Sequence, residues 1–214
     1  MPKLKPTTHA ARREHILDAA ERCFARTGFH RTTIQDICTE AGVSAGALYV
    51  YFTSKEDLIA GIAERDRAKL QRELTALAGA DDLLGALRQL GEHYTVEEPH
   101  HKQVLCVEIG AEATRNPAVG AIFRSVDQFV IDSFEKLFAR AHAEGRIAPA
   151  LEPRTLARVV AVLGDGLFWR RATDPGFDAK ALLPAVTAII GALLNPTVSA
   201  AGDAPVQISA GAPA

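Results

Sequence analysis

Residues 42–58 read GVSAGALYVYFTSKEDL and bring Tyr49, Tyr51 and Phe52 together on a segment of about two helical turns. A tyrosine offers an apolar ring for packing and a hydroxyl for contact, so it can be half core and half ligand surface. Ser44 opens this segment, and no charge appears in it before Lys55. A serine at that point caps a helix whose free N–H groups and dipole attract phosphate. Other residues with chemical potential are scattered. His93, His100, His101, Cys106 and Glu108 are metal-capable, but their spacing fits no standard site and Pro99 breaks the helical register, so they read as solvated groups at an interhelix corner. Cys23 and Cys38 sit on apolar helix faces and read as small buried hydrophobes. No Ser/His/Asp or Cys/His grouping and no Gly-rich phosphate loop stands out, so neither an enzyme, a cofactor nor a metal ion is expected.

The elements that must hold this segment are helices throughout. In 9–27, Ile16, Ala20, Cys23 and Phe24 form one apolar stripe, with Thr7 or Thr8 as N-cap and Gly28 as the stop. Thr32 and Gln35 have capping-box spacing and start a short helix at 33–40. Gly42 supplies a turn, and Ser44 caps a helix at 45–51. Thr53 and Glu56 repeat the capping box and open a long helix towards 77. Further helices read near 81–95, 101–114, 117–144, 153–173 and 178–194, broken at Pro99, Asn116-Pro117, Gly145, Pro153 and Asp174-Pro175-Gly176. The fold class is all-α, about nine helices, with residues 1–55 as one domain, 56–195 as a second and 196–214 as a small, Pro/Gly/Ser-rich disordered tail.

Two short helices joined by a tight Gly-containing turn form a helix-turn-helix unit, whose second helix enters the DNA major groove. The stretch TIQDICTEAGVSAGALYVYFTSKEDLI at 33–59 resembles the DNA-binding domain of the TetR family of one-component transcriptional regulators. The resemblance spans about residues 10–60, through the Thr27-Gly28-Phe29 turn, AGVS, LY.YF and SKE.L. It implies that Thr33 contacts phosphate and that Ala45, Gly46, Ala47, Tyr49 and Val50 form the exposed face of the reading helix, which Ser44 caps. It implies further that Tyr49 and Tyr51 reach bases or backbone, that Lys55 contacts phosphate, and that Leu48 and Phe52 are inward anchors. Ala45 and Val50 stand where the family often has basic or larger polar residues. Recognition should therefore lean on Tyr49, thymine-methyl contacts, groove shape and phosphate anchoring. Lys3, Lys5, Arg12 and Arg13 could reach the backbone or a minor groove, or form a solvated end.

Charge follows the same division. The chain of 214 residues carries a net −2, yet residues 1–55 balance at +3 and the remainder at −5. No run is apolar enough to span a bilayer, no secretory signal is visible, and three cysteines suit a reducing compartment, so the cytoplasm is the default location.

The second domain should supply a dimer contact and an effector pocket. The 153–173 helix is apolar over too wide an arc for one buried face, and the 178–194 helix is apolar nearly all round. Leu156, Val160, Leu163 and Leu167 with Val186, Ile189, Ile190 and Leu193 are the candidate interface, and Trp169 reads as an interface anchor or core filler. The resemblance implies that these two helices pair across a two-fold axis, and that a small molecule in the body shifts the DNA-reading heads. Candidate pocket residues are Leu90 and Tyr94, then Val104, Leu105, Glu108 and Ile109, then Phe123, Val126, Val130 and Phe134. Few are charged, so an apolar or aromatic effector is expected. The partners are a double-stranded DNA operator, a second copy of the chain and an unknown effector. A helical carrier or enzyme-like protein whose head does not bind DNA, or a repressor without an effector, are the alternatives.

Overall fold

A computed structural model describes residues 6–197. The helices are α1 (Pro6–Thr27), α2 (Ile34–Ala41), α3 (Ala45–Tyr49), α4 (Lys55–Ala78), α5 (Leu83–Glu92), α6 (His100–Ala113), α7 (Pro117–Ala143), α8 (Pro153–Thr173) and α9 (Ala179–Leu194). A π-helical turn at His93–Glu97 links α5 to α6. No strand occurs among the described residues, although an isolated bridge joins Ile147 to Pro196. Pro196 and Thr197 therefore belong to the folded body, and the rest of the segment expected to be a disordered tail lies outside the described residues.

Three caps differ from the sequence expectation by one register step or more. α1 starts at Pro6, so Thr7 and Thr8 lie in its first turn instead of before it. The cap of α2 is Thr33, not Thr32, and its box partner is Asp36. Thr32 is buried because its hydroxyl donates to the Gly28 carbonyl at 2.7 Å. The cap of α4 is Ser54, whose hydroxyl accepts from the Asp57 N–H at 3.0 Å, and Asp57 accepts in return from Thr53. At α2 the Asp36 carboxylate closes the box on the cap N–H, whereas at α4 the Asp57 carboxylate reaches one residue further back, to the Thr53 N–H.

Two apolar cores result. The first gathers Ile16, Leu17, Phe24, Ile37, Leu48 and Phe52 with Leu58, Ile59 and Ile62 of α4, and it also takes in Leu105 and Val119. The domain boundary expected at residue 55 thus falls at the start of a helix that completes the head. The second core, around Leu77, Leu87, Phe138, Leu156 and Leu194, holds α4, α5, α7, α8 and α9 together.

Arg65 on α4 ties the head to this frame. Its guanidinium donates to Asp18 at 2.7 Å and also to Glu21, which is 2% exposed. Burial pushes the Glu21 carboxyl above its ordinary range, and the nearby Lys102 and Arg65 oppose that shift. Arg65→Ala is expected to lower stability by about 3 kcal/mol, because it strands a buried carboxylate, read as a shift in the urea midpoint.

Candidate nucleic-acid interface

The head presents α3 through a turn that only glycine holds easily. Gly42 sits at φ 61°, ψ 34°, and its N–H donates to the end carbonyls of α2. The Ser44 hydroxyl then accepts from the Ala47 N–H at 3.2 Å, so the cap uses the side chain and leaves other first-turn donors facing out. Leu48 is fully buried and fixes which face of α3 turns inward. The opposite face carries Tyr49 and Val50, 52% and 69% exposed, beside exposed Ser44 and Gly46. Large apolar groups left this open on a short, rigidly held helix are available for contact.

The expected site residues do not all share this surface. Ala45 packs its methyl against the head core, so it backs the reading face instead of forming it. Ala47 is half-buried and Thr33 is exposed at the start of α2, its hydroxyl on Asp36 at 2.7 Å. Tyr51 also packs against the head core, its ring 4.3 Å from that of His9. Lys55 faces inward, with its ammonium donating to the carbonyls of Phe29 and Thr32 and lying 4.3 Å from the Phe29 ring centroid. Two carbonyls and an aromatic face satisfy a lysine without phosphate, so this side chain holds the α1–α2 turn to α4. Arg13 is likewise engaged, donating to Glu64 at 2.8 Å and lying over Phe52. Arg12 is exposed, and Lys3 and Lys5 lie outside the described residues.

α6 grips the same α1–α2 turn from the body. Glu108, expected in the pocket, accepts from the Phe29 N–H at 2.7 Å, and a Cβ at Gly28 (φ +81°) would fall 2.9 Å from its Oε1. One turn on, buried Glu112 lies 2.8 Å from His30 Nε2 and 2.7 Å from Arg115. No sequence motif marks these two carboxylates, because they act across 80 or so residues; only their i, i+4 spacing on one helix was visible. Glu108→Ala is expected to weaken the head by about 1.5–3 kcal/mol and to speed hydrogen exchange at the Phe29 amide, with the body's protection unchanged.

The remaining expected pocket residues mostly fill space. Leu105 and Phe134 are buried in the first and second cores, and Ile109, Leu90 and Val130 pack against those cores. The Tyr94 hydroxyl donates to Glu73 at 2.6 Å. Val104 and Val126 are half-buried, and Phe123 is 44% exposed.

On the expected interface helices, Leu156 and Val160 belong to the second core and Leu167 is 7% exposed, so all three are corrected to protomer interior. Leu163, Val186, Ile190 and Leu193 are half-buried, and Ile189 is 50% exposed. The open apolar groups are Val162 (68%) and Trp169 (56%) on α8 with Leu182 and Ile189 on α9. Trp169 is therefore not core filler.

Residues 16–62 match the model described as bacterial regulatory proteins of the tetR family, and residues 86–195 match that of the BetI-type transcriptional repressor C-terminal domain. The chain is 27% identical over 187 residues to the HTH-type transcriptional regulator UidR of Escherichia coli K12, spanning 86% of this chain and 93% of that one. It is similar to the solved structure of Salmonella enterica GusR, with 29% identity, a TM-score of 0.73 and coverage of 89% and 97% of the two chains. It is also similar to the SmeT–triclosan complex, with 25% identity, a TM-score of 0.75 and coverage of 92% and 99%. With a helix-turn-helix head and a helical body matched to those of bacterial regulators, the chain belongs to the TetR family of DNA-binding transcriptional regulators.

Proposed function

We infer that the protein is a homodimeric repressor whose two α3 helices enter successive major grooves of a near-palindromic operator, and that a small effector in the body releases it. The observation that supports this most is the outward face of α3, where Tyr49 and Val50 stand open beside a Ser-capped helix start. Tyr49 is the base-reading side chain, Val50 and Ala47 touch thymine methyls, and Ser44 and Thr33 lie at helix starts suited to phosphate. Lys55 serves from behind, by fixing the turn that orients α2. α6 carries the effector's signal, because Glu108 and Glu112 connect the body to Phe29 and His30. A ligand that favours one placement of α6 thereby favours one separation of the heads.

Binding of the full chain to a duplex from its own promoter region, followed by fluorescence anisotropy over a range of salt, tests the reading. Affinity should fall steeply as salt rises, because phosphate contacts release counterions. Salt-independent affinity, or none, would reject it.

A further inference from the structure

α4 and α7 run side by side. Asn116, the cap of α7, donates to Glu56 at the start of α4 at 3.0 Å, and Leu74 and Leu137 are buried together further on in the second core. Between the two helices an open groove of about 480 Å³ is lined by Arg67 and Thr75 of α4 and by Phe129, Ser133, Lys136 and Arg140 of α7.

The charge on its walls is one-sided. Arg140 has Glu144 at 2.7 Å, and the one carboxylate on the groove wall, Asp132, is taken by Gln128 at 2.5 Å and by Arg154 at 3.1 Å. Arg67 and Lys136 have neither an ion pair nor a side-chain hydrogen bond among the described residues. Lys136 is exposed, but Arg67 is half-buried, with its guanidinium 4.8 Å from the Phe129 ring centroid. The ring holds the plane of the fork and supplies no acceptor to its N–H edge. A guanidinium carries five donors, and leaving them unpaired in a partly buried place is costly unless a ligand or water completes them. Its planar fork matches a carboxylate or a phosphate. The chain outside residues 1–55 is net −5, so this positive groove is not a by-product of overall charge.

The walls between the cations are polar. Thr75 and Ser125 each give their hydroxyl proton to a carbonyl of their own helix, both at 2.7 Å, so each oxygen keeps a lone pair for a ligand hydroxyl. Phe129, under Arg67, and Lys136 stand seven residues apart on α7, roughly 10 Å by the helix rise. An extended ligand can therefore meet a cation at each end and hydroxyl groups between.

We propose that this groove binds a hydroxylated small molecule with an anionic group at each end, of the hexose bisphosphate class. Arg67 takes one anionic group, and Lys136 with Arg140 takes the other. Neither the DNA-reading nor the effector reading above depends on this site.

The test is calorimetry on the full-length protein at about 0.15 M salt, which screens generic attraction. The probes are fructose 1,6-bisphosphate, fructose 6-phosphate, fructose and inorganic phosphate. The bisphosphate should bind at least about tenfold more tightly than the monophosphate, through the second charged contact, with the free sugar and inorganic phosphate weaker still. Lys136→Gln should bring the bisphosphate down to the level of the monophosphate and leave the monophosphate unchanged. Arg67→Met should weaken both by at least about tenfold. Lys180→Gln, the same change of charge on α9, should alter neither. A bisphosphate held no more tightly than inorganic phosphate, or held equally well by Arg67→Met and Lys136→Gln, would overturn the site, as would an equal loss with Lys180→Gln. Circular dichroism checks that the variants fold; if Arg67→Met does not, the exposed Lys136→Gln and the four-probe comparison decide.

Discussion

Val162→Asp combined with Ile189→Asp should convert the dimer to a monomer and lower operator affinity by about 10²–10⁴-fold, the gain that a second linked site supplies. Both residues are more exposed than large apolar groups usually are, at 68% and 50%, so two carboxylates cost the protomer little. Between two copies the same carboxylates would be buried without partners, which is strongly unfavourable. The contrast with Leu156, Val160 and Leu167 decides the choice of sites: those are protomer core, and aspartate there would unfold the chain instead of splitting it. Light scattering should give one protomer mass for the double variant, with an unchanged helical spectrum. A surviving dimer would place the two-fold contact away from α8 and α9.

Tyr49→Ala should cost about 1–3 kcal/mol per half-site, the worth of a good base contact, and a symmetric operator loses it twice. Specific affinity should fall roughly 30-fold to 10⁴-fold, while weak, salt-dependent binding to unrelated duplex remains. Tyr49 packs little in the head, so its truncation should hardly move the melting temperature. Leu48→Ala would do the reverse, lowering stability by about 2–5 kcal/mol, since Leu48 is fully buried in the head core. That pair of outcomes separates a reading residue from an anchor one position away.

The helices were legible because each long segment repeats at helical spacing and ends in Pro, Gly or Asn-Pro. α7 and α8 begin at Pro117 and Pro153, as read. Caps were less legible, because Thr32-Thr33 and Thr53-Ser54 each offer two candidate hydroxyls, and three-dimensional packing chooses between them. Gly42 and Ser44 were readable from local backbone chemistry alone. Lys55 was not, because a lysine at a helix start says nothing of carbonyls 23 and 26 residues away. The same limit hid Glu108 and Glu112, whose partners lie in the head. On α8 the apolar arc was visible, but which edge faces the second core and which stays open depends on where α7 lies.

The central claim, that two copies of α3 read DNA through Tyr49, is tested most directly by selecting duplexes from a random pool with the full-length protein and with Tyr49→Ala. The account predicts a two-fold symmetric motif for the unaltered chain, with half-sites about one helical turn apart or a multiple of it, and loss of base preference within each half-site for the variant. A pool that yields no motif, a single unpaired half-site, or the same motif with both proteins would contradict it.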